Sequence, residues 1–233
     1  MFNNFRVEIS FKDLDQLERK LDFCLNNKIY RINIPCKGNI KKDFLLDVIR
    51  FISVKYKNID VIYHYSFYHQ FHKNRSLSYQ NFLNFLEVNK LYNKSNEILL
   101  VSGSKKRDEF EVLDILEKLK FDLSKNIKFG VAFNPYFLND FDSKIERNRL
   151  IDKLNYHFVN SIWLQYGSEI NQLANEIKFL NNMKFNSQQF IDKGIKIYGS
   201  LFIPSKQLLA RFKFRPWRGV HLSNKYLNSV EEA

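Results

Sequence analysis

Along this chain, short apolar runs alternate with segments in which apolar residues recur every third or fourth position, and the alternation repeats eight times. The first run, Phe5 to Ser10, reads as a strand. Leu14, Leu17, Leu21 and Leu25 then mark one face of a helix, with Asp13 placed to cap its first turn. Strands at Ile29–Ile34 and Ile59–Tyr63 are followed by helices over Phe44–Tyr56 and Ser78–Tyr92. The run Glu97–Val101 leads into a helix carrying Phe110, Leu113, Leu116, Leu119 and Phe121. The pattern continues with strand Ile127–Phe133, helix Ile145–Phe158 and strand Val159–Gln165. A helix capped by Ser168 then runs to Met183, and a short helix, Ser187–Lys193, is stopped by Gly194. Strand Ile195–Ile203, helix Gln207–Phe212, a last strand at Gly219–Leu222 and a stub of helix close the series.

Strands that alternate with helices of about 10–15 residues predict βαβ units and a parallel sheet. Eight units of about 29 residues predict an α/β fold: a single (β/α)8 TIM barrel over residues 1–233, with a short eighth βα unit. Pro35, Gly103, Pro135, Gly167 and Pro204 fall just beyond strand ends, where such a fold turns into its βα loops. A doubly wound sheet is the alternative, but the first turn reads Ser10-Phe11-Lys12-Asp13 and lacks the glycine-rich phosphate fingerprint.

Composition narrows the function classes. Apolar residues make up 45% and charged residues 27%, a globular balance. Two cysteines, Cys24 and Cys36, exclude a disulfide scaffold and a four-cysteine zinc site. The longest apolar runs are too short to span a bilayer, and no secretion signal is visible, so a cytoplasmic location is expected, with no membrane partner. The net charge of +12 points to an anionic ligand or to a Lys-biased surface. The basic residues are scattered, which argues against nucleic acid.

On a barrel, function belongs at the C-terminal strand ends. There the chain places Glu8 and Ser10, Cys36 and Lys37, His64 with the loop residues His69, His72, Lys73 and Arg75, then Ser102 to Arg107, Asn134, Gln165, Lys206 and His221. The mouth is cationic and suits a phosphate or polycarboxylate. Glu8 interrupts Val7, Ile9 and Phe11. A carboxyl desolvated at the mouth would act as a general acid, whereas one turned outward would serve as an ion-pair partner. The three histidines lack a carboxylate at ligand spacing, so no metal is expected.

Several strand ends resemble the methylenetetrahydrofolate reductase family. Val7-Glu8-Ile9-Ser10 is similar to its acidic first strand, Tyr63-His64-Tyr65-Ser66 to its third strand end, and Leu99 to Ser104 to its Ser-Gly-Asp turn. Gly130-Val131-Ala132-Phe133-Asn134-Pro135 resembles its fifth strand. Lys153, Leu164-Gln165 and Tyr198 to Pro204 with Lys206-Gln207 resemble later stretches, while Arg215 to Val220 has no counterpart. The resemblance implies a cytoplasmic oxidoreductase of one-carbon metabolism, a flavoprotein in which FAD relays a hydride from NAD(P)H to 5,10-methylenetetrahydrofolate. It implies Glu8 as the acid, and Gln165, Lys206 and Gln207 as substrate contacts. His64, Ser102, Gly103, Ser104, Asn134 and Lys153 become the flavin contacts. The partner implied is a folate, including its polyglutamate forms, with a homo-oligomer or partner subunit alongside. The alternative is a folate-binding or one-carbon transfer protein on the same barrel without flavin redox activity.

Overall fold

A computed structural model of the chain describes residues 5–37, 40, 42–103, 110–122, 127–186, 188–217 and 219–228. The chain divides into two compact units, Met1–Phe129 and Gly130–Ala233.

In the first unit, β1 (Val7–Glu8), β2 (Arg31–Ile34), β3 (Asp60–Ser66) and β4 (Glu97–Val101) lie side by side in chain order, all parallel. They alternate with α1 (Leu14–Asn26), α2 (Lys42–Lys55), α3 (Arg75–Tyr92) and α4 (Val112–Asp122). The second unit takes up β5 (Lys128–Phe133) at Gly130. It continues through α5 (Asp140–Leu154), β6 (Val159–Leu164), α6 (Ile170–Asn186), α7 (Gln188–Lys193), β7 (Lys196–Tyr198), α8 (Lys206–Phe214) and α9 (Asn224–Asn228). Its strands also follow chain order, and β6 and β7 are parallel. Sequential parallel strands alternating with helices through both units constitute the TIM-barrel-like α/β fold. No helix among the described residues is long and apolar enough to cross a membrane.

The local causes are legible. Asp13 caps α1 as expected, its carboxylate accepting from the Gln16 backbone N–H at 2.8 Å. Asn74 does the same for α3, accepting from Leu77 N–H at 2.9 Å, so that helix begins at Arg75, three residues before the expected start at Ser78. The core of the first unit is aromatic. Tyr65 on β3 lies 4.8 Å from both Phe82 and Phe85 of α3, and Phe67 lies 5.3 Å from Phe110. Each such side chain, fully buried, contributes about 1.5–3 kcal/mol of transfer free energy.

Four expectations shift. Helix α5 starts at Asp140, five residues early, because Asn139 accepts from Asp142 N–H and two acids occupy the first turn. Ser168 does not cap α6. Its hydroxyl accepts instead from the Ser223 N–H at 2.7 Å, and its own N–H donates to the His221 carbonyl at 3.2 Å. The seventh strand stops at Tyr198, leaving Leu201 and Ile203 about nine-tenths exposed. Gly219–Leu222 forms no ladder, because its backbone bonds go to the Ser168 and Asn134 loops, and the eighth unit survives as the helix α9.

Candidate functional site

Residues paired across a parallel ladder point to the same side, and positions i and i+2 share a face. Glu8 pairs with Asn33, Asn33 with Ile62, and His64 with Leu99. The sheet of the first unit therefore has two unlike faces. Ile32, Ile34, Val61, Tyr63, Tyr65, Ile98 and Leu100 line one and are all buried, with Tyr65 against α3. Glu8, Asn33, Asp60, His64 and Ser66 lie on the other, together with Arg6 and the buried apolar Ile62 and Leu99. The polar groups of that mixed face form the candidate site.

Arg6 organises its lower half. The guanidinium donates from Nε to Asn33 Oδ1 at 2.8 Å, from Nη1 to Asp60 Oδ2 at 2.7 Å, and from Nη2 to the carbonyls of Ile32 and Asp60, each at 2.8 Å. The fork geometry of arginine makes this four-way clamp on β2 and β3, and a lysine would not reproduce it.

Glu8 marks the strand end. Its carboxylate lies 4.0 Å from Lys37 Nζ, with each side chain about half exposed, 48% and 51% respectively. The same Nζ donates to Ser10 Oγ at 2.5 Å. The surrounding protein desolvates the carboxyl enough to raise its pKa, and Lys37 lowers it by less. Glu8 is thus an acid that solvent can reach and that holds its proton to a higher pH than an ordinary glutamate. His64, two-thirds of the way along β3, is buried. Burial, reinforced by repulsion from Lys37 and Arg6, lowers its pKa to about 3, so it is neutral near pH 7. Cys36, on the opposite face of the end of β2, accepts from Gln70 Nε2 at 3.1 Å, and burial pushes its thiol up, away from the reactive thiolate.

The positions that carry the flavin resemblance are bonded within the protein. Ser102 Oγ accepts from the first N–H of α4, Val112, at 3.3 Å, and its carbonyl accepts from Tyr68 N–H at 3.1 Å. Gly103 has φ +97°, and a Cβ there would meet the Tyr68 Cβ at 2.3 Å. Ser104, like Lys105, Lys106 and Arg107, lies outside the described residues. In the second unit, Asn134 Nδ2 donates to the Gly219 carbonyl at 3.0 Å, while its Oδ1 accepts from Tyr136 N–H at 3.1 Å. Lys153 is buried and donates to the Ala132 carbonyl at 3.2 Å. In the first unit Ser102 Oγ is thus used as an acceptor within the protein and Tyr68 fills the space beside Gly103, and in the second unit Asn134 Nδ2 and Lys153 Nζ each donate to a backbone carbonyl. The substrate positions differ in character. Glu8, Gln165, Lys206 and Gln207 are all exposed, and Gln165 Oε1 turns back to accept from Tyr166 N–H at 3.0 Å.

Sequence reasoning passed over Arg6, Asn33 and Asp60 in the first unit. It also passed over a pair in the second, Trp163 and Tyr198, whose rings stack at 4.2 Å on paired positions of β6 and β7. The indole Nε1 donates to Ser161 Oγ at 2.9 Å, and Gly130 makes room for it, since a Cβ there would sit 2.4 Å from Nε1. The signal was the two-residue period linking Arg6 to Glu8 and Ser161 to Trp163 to Gln165.

No protein-family model matches the chain, and no curated protein matches it. Among solved structures, the catalytic domain of Thermobifida fusca endoglucanase Cel5A is similar, with 11% sequence identity and a TM-score of 0.42 over 82% of this chain. The chain spans 63% of the length of that domain.

Proposed function

We propose that the chain binds a folate at the strand ends of its first unit, as a folate-binding or one-carbon transfer protein that works without a flavin. The observation carrying this reading is Glu8, a reachable carboxyl of raised pKa beside Lys37 at the end of β1. In a 5,10-methylene-bridged folate, the useful event at such an acid is ring opening. Glu8 gives its proton to one bridging nitrogen, the carbon–nitrogen bond breaks with its electron pair left on that nitrogen, and the one-carbon unit stays on the other as an iminium. Lys37 Nζ then compensates the carboxylate left behind, and the ammonium also suits the carboxylates of a glutamyl tail.

The reductase reading, with FAD and NAD(P)H, rests on the resemblance alone, and the internal bonding of Ser102, Asn134 and Lys153 and the crowding of Gly103 by Tyr68 weigh against it. The discriminating experiment titrates purified protein with folate and, separately, with FAD while following flavin fluorescence. Folate binding with unquenched flavin is the expected result. Flavin quenching restores the reductase reading, and binding of neither overturns both. In Glu8→Gln, folate affinity should stay within about threefold, while opening of the methylene bridge, read by trapping of labelled formaldehyde, should fall by about 10²-fold or more. Unchanged opening would reduce Glu8 to an ion-pair partner.

A further inference from the structure

The second unit encloses a cavity of about 460 Å³ bordered by the start of α6, the end of α8 and α9. That volume falls within the range of small-molecule sites, about 300–1,000 Å³. Bonds from distant parts of the chain hold its shape. Asn134 Nδ2 donates to the Gly219 carbonyl at 3.0 Å, Ser168 N–H donates to the His221 carbonyl at 3.2 Å, and Ser168 Oγ accepts from Ser223 N–H at 2.7 Å. Phe212, a wall residue, has the Trp217 ring 4.7 Å from its own.

Apolar and polar side chains share the wall. Phe212, Val220, Leu222 and Leu227 supply the first kind, and Glu169, His221 and Asn224 the second. Glu169 stands one residue before α6, where an acidic side chain commonly caps the first turn. Among the described residues, however, no N–H donates to its carboxylate and no cation pairs with it. The His221 ring rests beside Phe137 at 6.0 Å, and its nitrogens, like the Asn224 amide, bond to no described residue. Ser223 differs, because its Oγ accepts from Tyr226 N–H at 3.1 Å. Among the described residues of the wall, Glu169 is the one carboxylate and there is no Lys or Arg.

We propose that this cavity binds a small organic cation, a protonated amine carried on an apolar, ring-sized skeleton. The Glu169 carboxylate accepts the ammonium N–H groups in charge-assisted hydrogen bonds, and the Asn224 oxygen and the acceptor nitrogen of a neutral His221 are further acceptors. Phe212, Leu222 and Leu227 cover the skeleton, which gains by leaving water. The composition of the wall selects this class. A carboxylate or phosphate ligand would meet Glu169 with no wall cation to receive it, and an uncharged ligand would desolvate Glu169 without pairing it. The net charge of +12 limits the charge of the ligand. A polycation is repelled by the whole chain, whereas a monocation held at one carboxylate feels mainly the charges within a Debye length of about 8 Å. The cavity lies in the second unit and stands apart from the Glu8 proposal.

The test titrates the full chain with 2-phenylethylammonium and follows binding by ligand-detected NMR. Two controls keep the skeleton and change the head group: 2-phenylethanol is uncharged and 3-phenylpropionate is an anion. Saturable binding of the amine is expected with a Kd of about 1 mM or tighter. The alcohol should bind at least about fivefold more weakly, and the carboxylate more weakly still. In Glu169→Gln the amine should lose about tenfold and fall to the affinity of the alcohol, while the alcohol changes by less than about twofold. Leu227→Trp, which fills the apolar end, should abolish binding of both. Melting curves check folding, and Glu169→Gln, at a part-exposed position, decides the matter if Leu227→Trp does not fold. Absence of saturable amine binding, equal affinity for the three probes, or indifference of the amine to Glu169→Gln would overturn the proposal. Tighter binding of pentalysine than of 2-phenylethylammonium would also overturn it, in favour of a basic peptide.

Discussion

Replacing Gly103 by alanine tests whether this glycine serves the fold or a ligand. Two structural quantities set the cost. At φ +97° an alanine backbone is strained by about 1–2 kcal/mol. The added methyl would also stand 2.3 Å from the Tyr68 Cβ, where carbon atoms rest at about 3.5–4.0 Å, so the turn must open by more than about 1 Å. Tyr68 has little freedom to yield, because its N–H is held by the Ser102 carbonyl. Such overpacking costs about 1–3 kcal/mol, and the whole effect is about 2–5 kcal/mol. For a chain of this size that corresponds to a fall in melting temperature of about 4–20 °C. Urea denaturation followed by circular dichroism measures it. Tyr68→Gly in the same molecule removes the opposing Cβ, and the double-mutant cycle should show a coupling of about 1 kcal/mol or more, with the φ strain remaining. Gly199→Ala, where no atom lies within 4 Å, serves as the neutral control. A loss below about 1 kcal/mol in Gly103→Ala, or no coupling to Tyr68, would refute the packing argument.

Two further outcomes are expected. His64 is neutral in the fold, with a pKa near 3, but takes up a proton near pH 6.5 when unfolded. The unfolded state therefore binds more protons, and stability should fall as the pH drops from about 6.5 toward 3. His64→Gln should flatten this slope between about pH 6.5 and 5, and an unchanged slope would show that His64 is not buried in its neutral form. Arg6→Met removes the Arg6 donor from Asn33 and leaves Asp60 with the longer 4.0 Å ion pair to Arg31, and should cost about 2–3 kcal/mol in a denaturation curve, while Arg6→Lys, unable to span four acceptors, should fall between the wild type and Arg6→Met. A wild-type curve for Arg6→Met would show the clamp to be dispensable.

Much of the architecture was legible because periodicity is local. The alternation around Val61 to Tyr65 and the stripe Leu14, Leu17 and Leu21 each declare an element from its own residues, and Asp13 announces where α1 begins. The misjudged places were those where a short side chain chose a distant partner. Ser168 has the composition of a helix cap, yet its hydroxyl is taken by Ser223, fifty-five residues on. Gly219–Leu222 has the composition of a strand, yet its carbonyls answer to Asn134 and Ser168.

The sequence by itself determined the element types, their order and hence the parallel α/β class, because hydrophobic period and capping depend on neighbours a few residues away. It also identified Glu8 as an unusual acid in an apolar strand. Only the tertiary structure decided that Lys37 would lie beside Glu8 and that Arg6 would clamp two strands. The filling of the space at Gly103 by Tyr68 was decided there too. Desolvation, ion pairing and close approach are sums over atoms brought together from distant parts of the chain, and no local pattern carries them.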